Sequence, residues 1–508
     1  MIFSVSTVNS EFHNNVYRLT MEQAKESRPP SRSSTGSGDI ILTKQVTLLD
    51  CTVLIAGTVI GSGIFISPKG ILDNTGSVGW ALIIWCACGI FSGVGALCYA
   101  ELASSIPESG GDYSYLRHSF GPWVSFLRIW TGLLAVRTGG AVVVSLVAAK
   151  NIILAFGGNC AADSTSTALL AFVILASIFY FNCWSVSLSR SIQVVFTGAK
   201  VLALMMIIIS GLWVLSRGNT DSFHESFDTE SVTWIRFPRA FYSGLFAYSG
   251  WQYLPQVTEE ILNPGRNVPL SIIIATTAVT ALYLLTNLAY FAVLSPFELL
   301  ASESVAVTFG QRVLGPIWWI LPIFVAVSCI GSINGGIFST ARMFFVASRE
   351  GQLPVIVSMI HINKRTPLPA AACMLPVCVL MLMTDDVYSL INYLSFCRWL
   401  AIAMTVMTVP YFRWKYPDLK RPFKVPLVLA ILFALCAVFM VVASILSAFY
   451  EFLIGLLITV AGIPVYAVCV WWQSKPAWWN QVMEKSTVWM QKLLLVVPQE
   501  RATYVKNF

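Results

Sequence analysis

The sequence predicts an all-α polytopic membrane protein of about twelve transmembrane helices, on three observations. Of 508 residues, 56% are hydrophobic and only 11% are Asp, Glu, Lys or Arg, about half the charged share of a soluble domain. Mean hydropathy is +0.72. Apolar windows recur at about 46–70, 78–104, 122–154, 166–185, 191–216, 236–261, 268–295, 314–345, 367–384, 386–410, 425–448 and 451–473, most near the roughly twenty residues needed to cross hydrocarbon. The plan that follows is a cytoplasmic tail over 1–45, a ten-span core over 46–410, spans eleven and twelve over 411–473, and a second tail over 474–508. A net charge of +7 gives no support to a nucleic-acid partner, because in a bilayer protein the placement of basic residues carries the information.

Taken in order, residues 1–45 are polar and include the low-complexity run Ser31 to Gly38, which predicts a disordered tail with no secretory signal. Span one then breaks its own pattern, with Gly61, Ser62 and Gly63 close to its middle. Interrupting a helix in hydrocarbon leaves amide groups unpaired at several kcal/mol each, and is tolerated where the backbone lines a cavity or meets a polar ligand. The triplet is therefore expected to floor a binding site. A half-helix from about Ile64 would aim its N–H groups and positive dipole end at an anion such as a carboxylate. The alternative is a small-residue patch for close helix packing.

Loops after the even-numbered spans carry Arg117, Arg190, Arg266, Arg349, Lys364, Arg365, Arg413, Lys415, Lys420, Arg421 and Lys424, whereas the opposite loops hold few, such as Lys69, Arg217 and Arg312. The positive-inside rule then puts both termini in the cytoplasm. Span six repeats the anomaly of span one: FYSGLFAYSGW, from Phe241 to Trp251, puts Ser249 and Gly250 at mid-membrane. Two breaks five spans apart predict a five-plus-five inverted repeat, and paired interrupted helices of this kind mark a transporter site at the midplane. Spans eleven and twelve fall outside the repeat as accessory helices. Beyond them Val482 to Val497 mixes apolar and basic residues, too short and polar to span, and is expected along the membrane surface.

Four charged side chains are expected at membrane depth: Lys200, Arg137, Arg398 and Glu101. Each is costly there without a cavity or a partner. Arg398 offers a forked donor to a second carboxylate on a substrate, or else pairs structurally with span-end carbonyls; Glu101 and Arg137 read as structural or interfacial. None of His13, His118, His224 and His361 falls in a span, and no metal or cofactor motif is present. Eleven of the twelve cysteines lie in spans, where Cys behaves as a small apolar residue. Cys160 is the exception, in an exterior loop without a second exterior cysteine, which favours an intermolecular disulfide over a free thiol. Neither a channel filter nor a nucleophile–base constellation emerges, so channel and enzyme readings fall behind a transporter.

A family resemblance rests on GTVIGSGIFISPKG (57–70), GALCYAELASSIPESGGDYSYL (95–116), LFAYSGWQYLPQVTEEILNP (245–264), TNLAYFAVL (286–294), FGQRVLG (309–315), SREGQLP (348–354), RPFKVPL (421–427) and VVPQE (496–500). In these the chain resembles the light subunits of heteromeric amino acid transporters, the L-type and cystine/glutamate exchanger group of the amino acid–polyamine–organocation superfamily. The resemblance implies the LeuT-type fold and sodium-independent exchange of L-amino acids at the plasma membrane. It implies that the substrate carboxylate meets the N–H groups of Ser62 and Gly63, within a site formed by Val59, Ile60, Gly61 and Ile64 of span one and Phe246, Ala247, Ser249 and Gly250 of span six. The ammonium would meet the carbonyls of Val59 and Phe246, and Phe246 would gate the site from outside. Lys200 would substitute for a bound sodium ion, and Cys160 would link the chain to a single-span glycoprotein heavy subunit. Arg398 with ISPKG, NTGSVG and RTPLPA resembles the cystine/glutamate type, whereas LFAYSGW resembles the neutral and cationic exchangers, and Ser243 stands where the cystine type has tyrosine. Large neutral amino acids against Phe246, Leu394 and Trp399, with cystine or glutamate added if Arg398 faces the site, is the substrate range expected; a dedicated anionic exchanger is the alternative.

Overall fold

Apart from the breaks in spans one and six, the described residues of the apolar windows fold almost entirely as helix, because in hydrocarbon a backbone amide finds no partner except another amide. The computed structural model describes residues 44–498 apart from 107, 158–162, 219–220, 224–225, 228–235, 303, 384–386, 448 and 473. The N-terminal tail and Cys160 thus lie outside the described residues, and of Leu394 only the helical backbone is described. Residues Ile40–Phe508 form one unit.

The order is α1 (Leu48–Val59), α2 (Gly63–Thr75), α3 (Val78–Ser105), α4 (Asp112–Phe120), α5 (Pro122–Thr131), α6 (Arg137–Gly157), α7 (Ser164–Trp184), α8 (Val186–Ser216), α9 (Phe237–Ala247), α10 (Pro264–Val293), α11 (Pro296–Ala301), α12 (Val305–Val313), α13 (Ile320–Arg349), α14 (Leu368–Ala372), α15 (Met374–Leu382), α16 (Val387–Lys415), α17 (Leu427–Ser447), α18 (Phe449–Tyr466) and α19 (Ala477–Leu494). Among the described residues, seven helical runs are long and apolar enough to cross a membrane, and α1 with α2, bent by 47°, makes an eighth. The other windows are held by shorter, interrupted or charge-bearing helices: α9 with a 3₁₀ segment (Trp251–Glu260), α14 with α15, α16, and α17.

Spans one and six run in opposite directions. The chain entering span one pairs with the chain leaving span six, Val46 N–H donating to Glu260 O at 2.9 Å and Leu262 N–H to Val46 O at 3.0 Å. Helices α10 and α13 then flank α1, α10 also packing on α3 and α8, and α13 on α6 and α8. A buried aromatic group of Trp85, Tyr248 and Tyr283 closes the core behind the span-six break.

The expected set of four deep charges is too small. Buried Asp112 takes Arg128 at 2.7 Å, and buried Glu260 takes Arg342 at 2.6 Å. Glu101 accepts from Arg413 Nε at 2.8 Å and from the Val425 N–H at 2.8 Å, clamping α3 to the α16–α17 turn. A buried carboxylate needs such partners to offset its desolvation, and those partners sit far away in sequence. The C-terminal segment, expected on the membrane surface, is the helix α19. It is followed by a strand β2 (Val496–Pro498) that pairs antiparallel with β1 (Met359–His361), just beyond α13.

Candidate functional site

The span-one break begins where Ile60 leaves helical geometry at φ −72°, ψ 91°. Four carbonyls at the end of α1 thereby lose helical partners, and side chains of three other helices replace them. Ser332 Oγ donates to Thr58 O at 2.9 Å, Tyr283 OH to Val59 O at 3.0 Å, and Ser328 Oγ to Ile60 O at 3.3 Å. Lys200 Nζ, buried on α8, donates to Ile60 O at 2.7 Å and to Gly57 O. The amide side of the gap is treated differently. Ser62 caps α2 without a side-chain bond, and the N–H groups of Ser62, Gly63 and Ile64 have no acceptor among the described residues. A gap whose carbonyl end is filled and whose N–H end is vacant selects an anion.

Span six breaks at Tyr248, Ser249 and Gly250, after which the chain winds as 3₁₀ helix through Pro255. Gly250 adopts φ 137°, and a Cβ there would strike the Thr58–Val59 backbone. The two breaks therefore touch through bare backbone. Tyr283 ties them together, its hydroxyl also donating to Ala247 O at 3.2 Å. Phe246 O already accepts from Ser249 Oγ at 2.8 Å.

Between the breaks lies a solvent-open cavity of about 860 Å³, its open mouth included. Its wall includes Val59, Gly61, Ser62, Gly63, Phe246, Ala247, Ser249 and Arg398 of the residues expected from the sequence. Ile60 and Ile64 are instead fully buried in the core, and Gly250 is spent on the contact with Thr58. Trp399 lines a second cavity of about 380 Å³ on the other side of Phe246, where it packs on Phe91. Phe246, Ser249, Gln252 and Arg398 are common to both walls. Ser243 lies in neither; its carbonyl accepts from Ser67 Oγ at 2.8 Å, so its departure from tyrosine concerns α2–α9 packing rather than the cavity.

Two arginines reach the main cavity and differ in their company. Arg137 follows a π-helical turn at Gly132–Val136, which re-aims the helix mid-span. It stacks 4.5 Å from the Tyr253 ring centroid and lies 3.7 Å from Asp112. Arg398 makes no ion pair and no hydrogen bond among the described residues, its Nε buried and unmatched. Gly140 leaves room for it, Nη2 standing 3.9 Å from the place a Cβ would occupy. The sequence reading missed Ser328, Ser332, Tyr283, Gln252 and Tyr253. A signal existed for the serines, since Ser328 and Ser332 are one helical turn apart in an apolar run; none marked Tyr283.

A profile described as amino acid permease matches residues 46–469. The chain is 45% identical to the human cystine/glutamate transporter over 470 residues, 92% of this chain and 94% of that one. It is 40% identical to the rat large neutral amino acids transporter small subunit 2, over 96% and 92% of the two chains, and 41% identical to the mouse b(0,+)-type amino acid transporter 1, over 93% and 96%.

Proposed function

The chain belongs to the amino acid permease family and moves amino acids across a membrane as an antiporter rather than transforming them, and from that premise we propose a sodium-independent exchanger that holds L-amino acids by their common head and sorts them at Arg398. The vacant N–H groups of Ser62 and Gly63 receive the α-carboxylate, and the second lone pairs of the Val59 and Phe246 carbonyls, with the Ser249 hydroxyl oxygen, receive the ammonium. Lys200 stands at the negative end of α1, where an alkali cation would otherwise be needed. The observation that carries the substrate reading is Arg398 in the cavity wall, without an ion pair or hydrogen bond among the described residues and with its Nε buried. A buried donor without an acceptor costs about 1–3 kcal/mol, more when charged, and a substrate carboxylate or dipolar side chain would recover it. Large neutral side chains are accepted on the apolar wall of Phe246, Val143, Ile333 and Met374. A dedicated anionic exchanger is the second reading, favoured by the additional cation Arg137 in the same wall.

Trans-stimulation in proteoliposomes tests the exchange: efflux of labelled amino acid should depend on amino acid outside and ignore sodium. Ion conductance without that dependence would overturn it. Competition by glutamate, cystine and leucine separates the two substrate readings, since only the broader one admits leucine. We further propose a plasma-membrane location with cytoplasmic termini, and a disulfide from Cys160 to a single-span heavy subunit. Cys160→Ser should remove a reducible high-mass band on a non-reducing gel while part of the transport survives; an unchanged band would refute the link.

A further inference from the structure

Helix α19 carries no buried residue, although much of its surface is apolar. Trp478, Val482, Trp489 and Leu493 are exposed by 62%, 57%, 62% and 63%. At about 100° per residue these four positions fall within roughly 60° of one another, so they form one stripe along the helix. Lys485 and Lys492 sit along one edge of that stripe, and Glu484 lies on the opposite side of the helix. Indole rings and lysine stems are the groups that settle at a lipid–water boundary, rings in the headgroup layer and ammonium groups at the phosphates.

Position supports the same occupant. Span twelve ends in a π-helical turn, Ala467–Trp471, with Trp471 and Trp472 exposed by 74% and 44%, so the bilayer-facing surface of α18 leads directly into α19. The far end of the helix is held in place: Ile362 N–H donates to Leu495 O at 3.1 Å, and Val496 is buried where β2 pairs with β1. The helix is thus held at its C-terminal end beside the Lys364–Arg365 loop. We propose that α19 is a lipid-recognition helix, seating the Trp478–Leu493 stripe in the interface of the leaflet on the side of that loop and binding anionic headgroups through Lys485 and Lys492. Because β1 follows α13, which supplies Ser332, Gly336 and Thr340 to the cavity wall, seating is tied to a helix of the transport site. The proposal is independent of which amino acids are carried.

Hydrogen exchange of residues 477–494 in the full chain, reconstituted in phosphatidylcholine vesicles with or without about 30% phosphatidylserine, tests it. Exchange should be slower in the anionic vesicles, and the Lys485→Gln/Lys492→Gln variant should lose that difference, by about fivefold per lysine neutralised. Unchanged protection at β1 and α13 in the same experiment shows that the variant is folded. Equal exchange in the two wild-type preparations overturns the proposal, as does protection of α19 that arises only when another protein chain is added.

Discussion

Lys200 and Arg398 both bring a positive charge to the middle of the bundle, and their surroundings differ in kind. The ammonium of Lys200 lies behind the span-one break and donates to two carbonyls that the break had orphaned. The guanidinium of Arg398 lies in the wall of two cavities with no acceptor among the described residues. The first cation completes the protein; the second leaves a demand that no group among the described residues meets. A buried charge is costly either way, so the difference lies in what answers it: orphaned helix-end carbonyls for Lys200, and for Arg398, on the proposed function, a substrate.

The sharpest way to break this contrast is to remove the partnered charge. Lys200→Met takes the donor from Gly57 O, at about 1–3 kcal/mol for a carbonyl left unpaired, and leaves Ile60 O with only the longer bond from Ser328 Oγ at 3.3 Å. Exchange of every substrate should fall at least about tenfold, since 1.4 kcal/mol is already a factor of ten, and thermal stability should fall with it. Uptake and melting at wild-type levels would mean that the span-one break stands without the lysine.

Removing the unpartnered charge should act differently. Arg398→Asn leaves no orphaned group behind, so stability should hold or rise slightly. Uptake of glutamate and cystine should fall by roughly ten- to a hundredfold, the worth of a hydrogen bond to a charged group at about 1.5–3 kcal/mol. Leucine uptake should change by less than about twofold. Competition assays on the two variants side by side measure the split; equal loss of all substrates in Arg398→Asn would make it a structural residue like Lys200.

The two breaks were legible because Gly61, Ser62, Gly63, Ser249 and Gly250 are the wrong residues for continuous helix in hydrocarbon, and that is a local signal. Lys200 and Arg398 were legible as anomalies for the same reason. What answers each charge was not. Glu101 finds Arg413 across the chain, Arg342 finds Glu260, and Tyr283 bridges Val59 and Ala247, pairings that depend on how helices pack rather than on spacing. Nor did spacing show that the second half of span six winds as 3₁₀ helix, or that Trp399 turns to a separate cavity from Ser62.

A smaller effect probes the ground that both cations share. Tyr283→Phe removes one hydroxyl, whose single proton is shared between Val59 O and Ala247 O, about 0.5–1.5 kcal/mol in all. Its cost should fall on the common head of the substrate and not on the side chain, so KM should rise by a similar factor for leucine and glutamate. A selective effect on one of them would move the sorting step from Arg398 toward the breaks.

The contrast extends to a cation whose charge is conditional. His118, in α4 between spans two and three, contacts Glu108 at 2.9 Å. Burial alone would lower the imidazole pKa, but the hydrogen bond and charge of Glu108 outweigh it and hold the value above that of a free histidine. Burial likewise pushes Glu108 up, and His118 with Arg349 and Arg117 pulls it net below the usual carboxylate range. The histidine's contribution is complete below the free-histidine value and fades as pH rises through the raised one. The carboxylate's is complete above the free-glutamate value and fades as pH falls through the lowered one. The pair is therefore strongest in mildly acidic solution and loosens toward alkaline pH. His118→Gln should remove the alkaline loosening of this loop, seen as hydrogen exchange over 108–120 that no longer changes between pH 6 and pH 8 beyond the intrinsic rate. With both side chains partly exposed, the stability at stake is no more than a few tenths of a kcal/mol. Retention of the wild-type pH response in the variant would show that the His118–Glu108 pair is not its source.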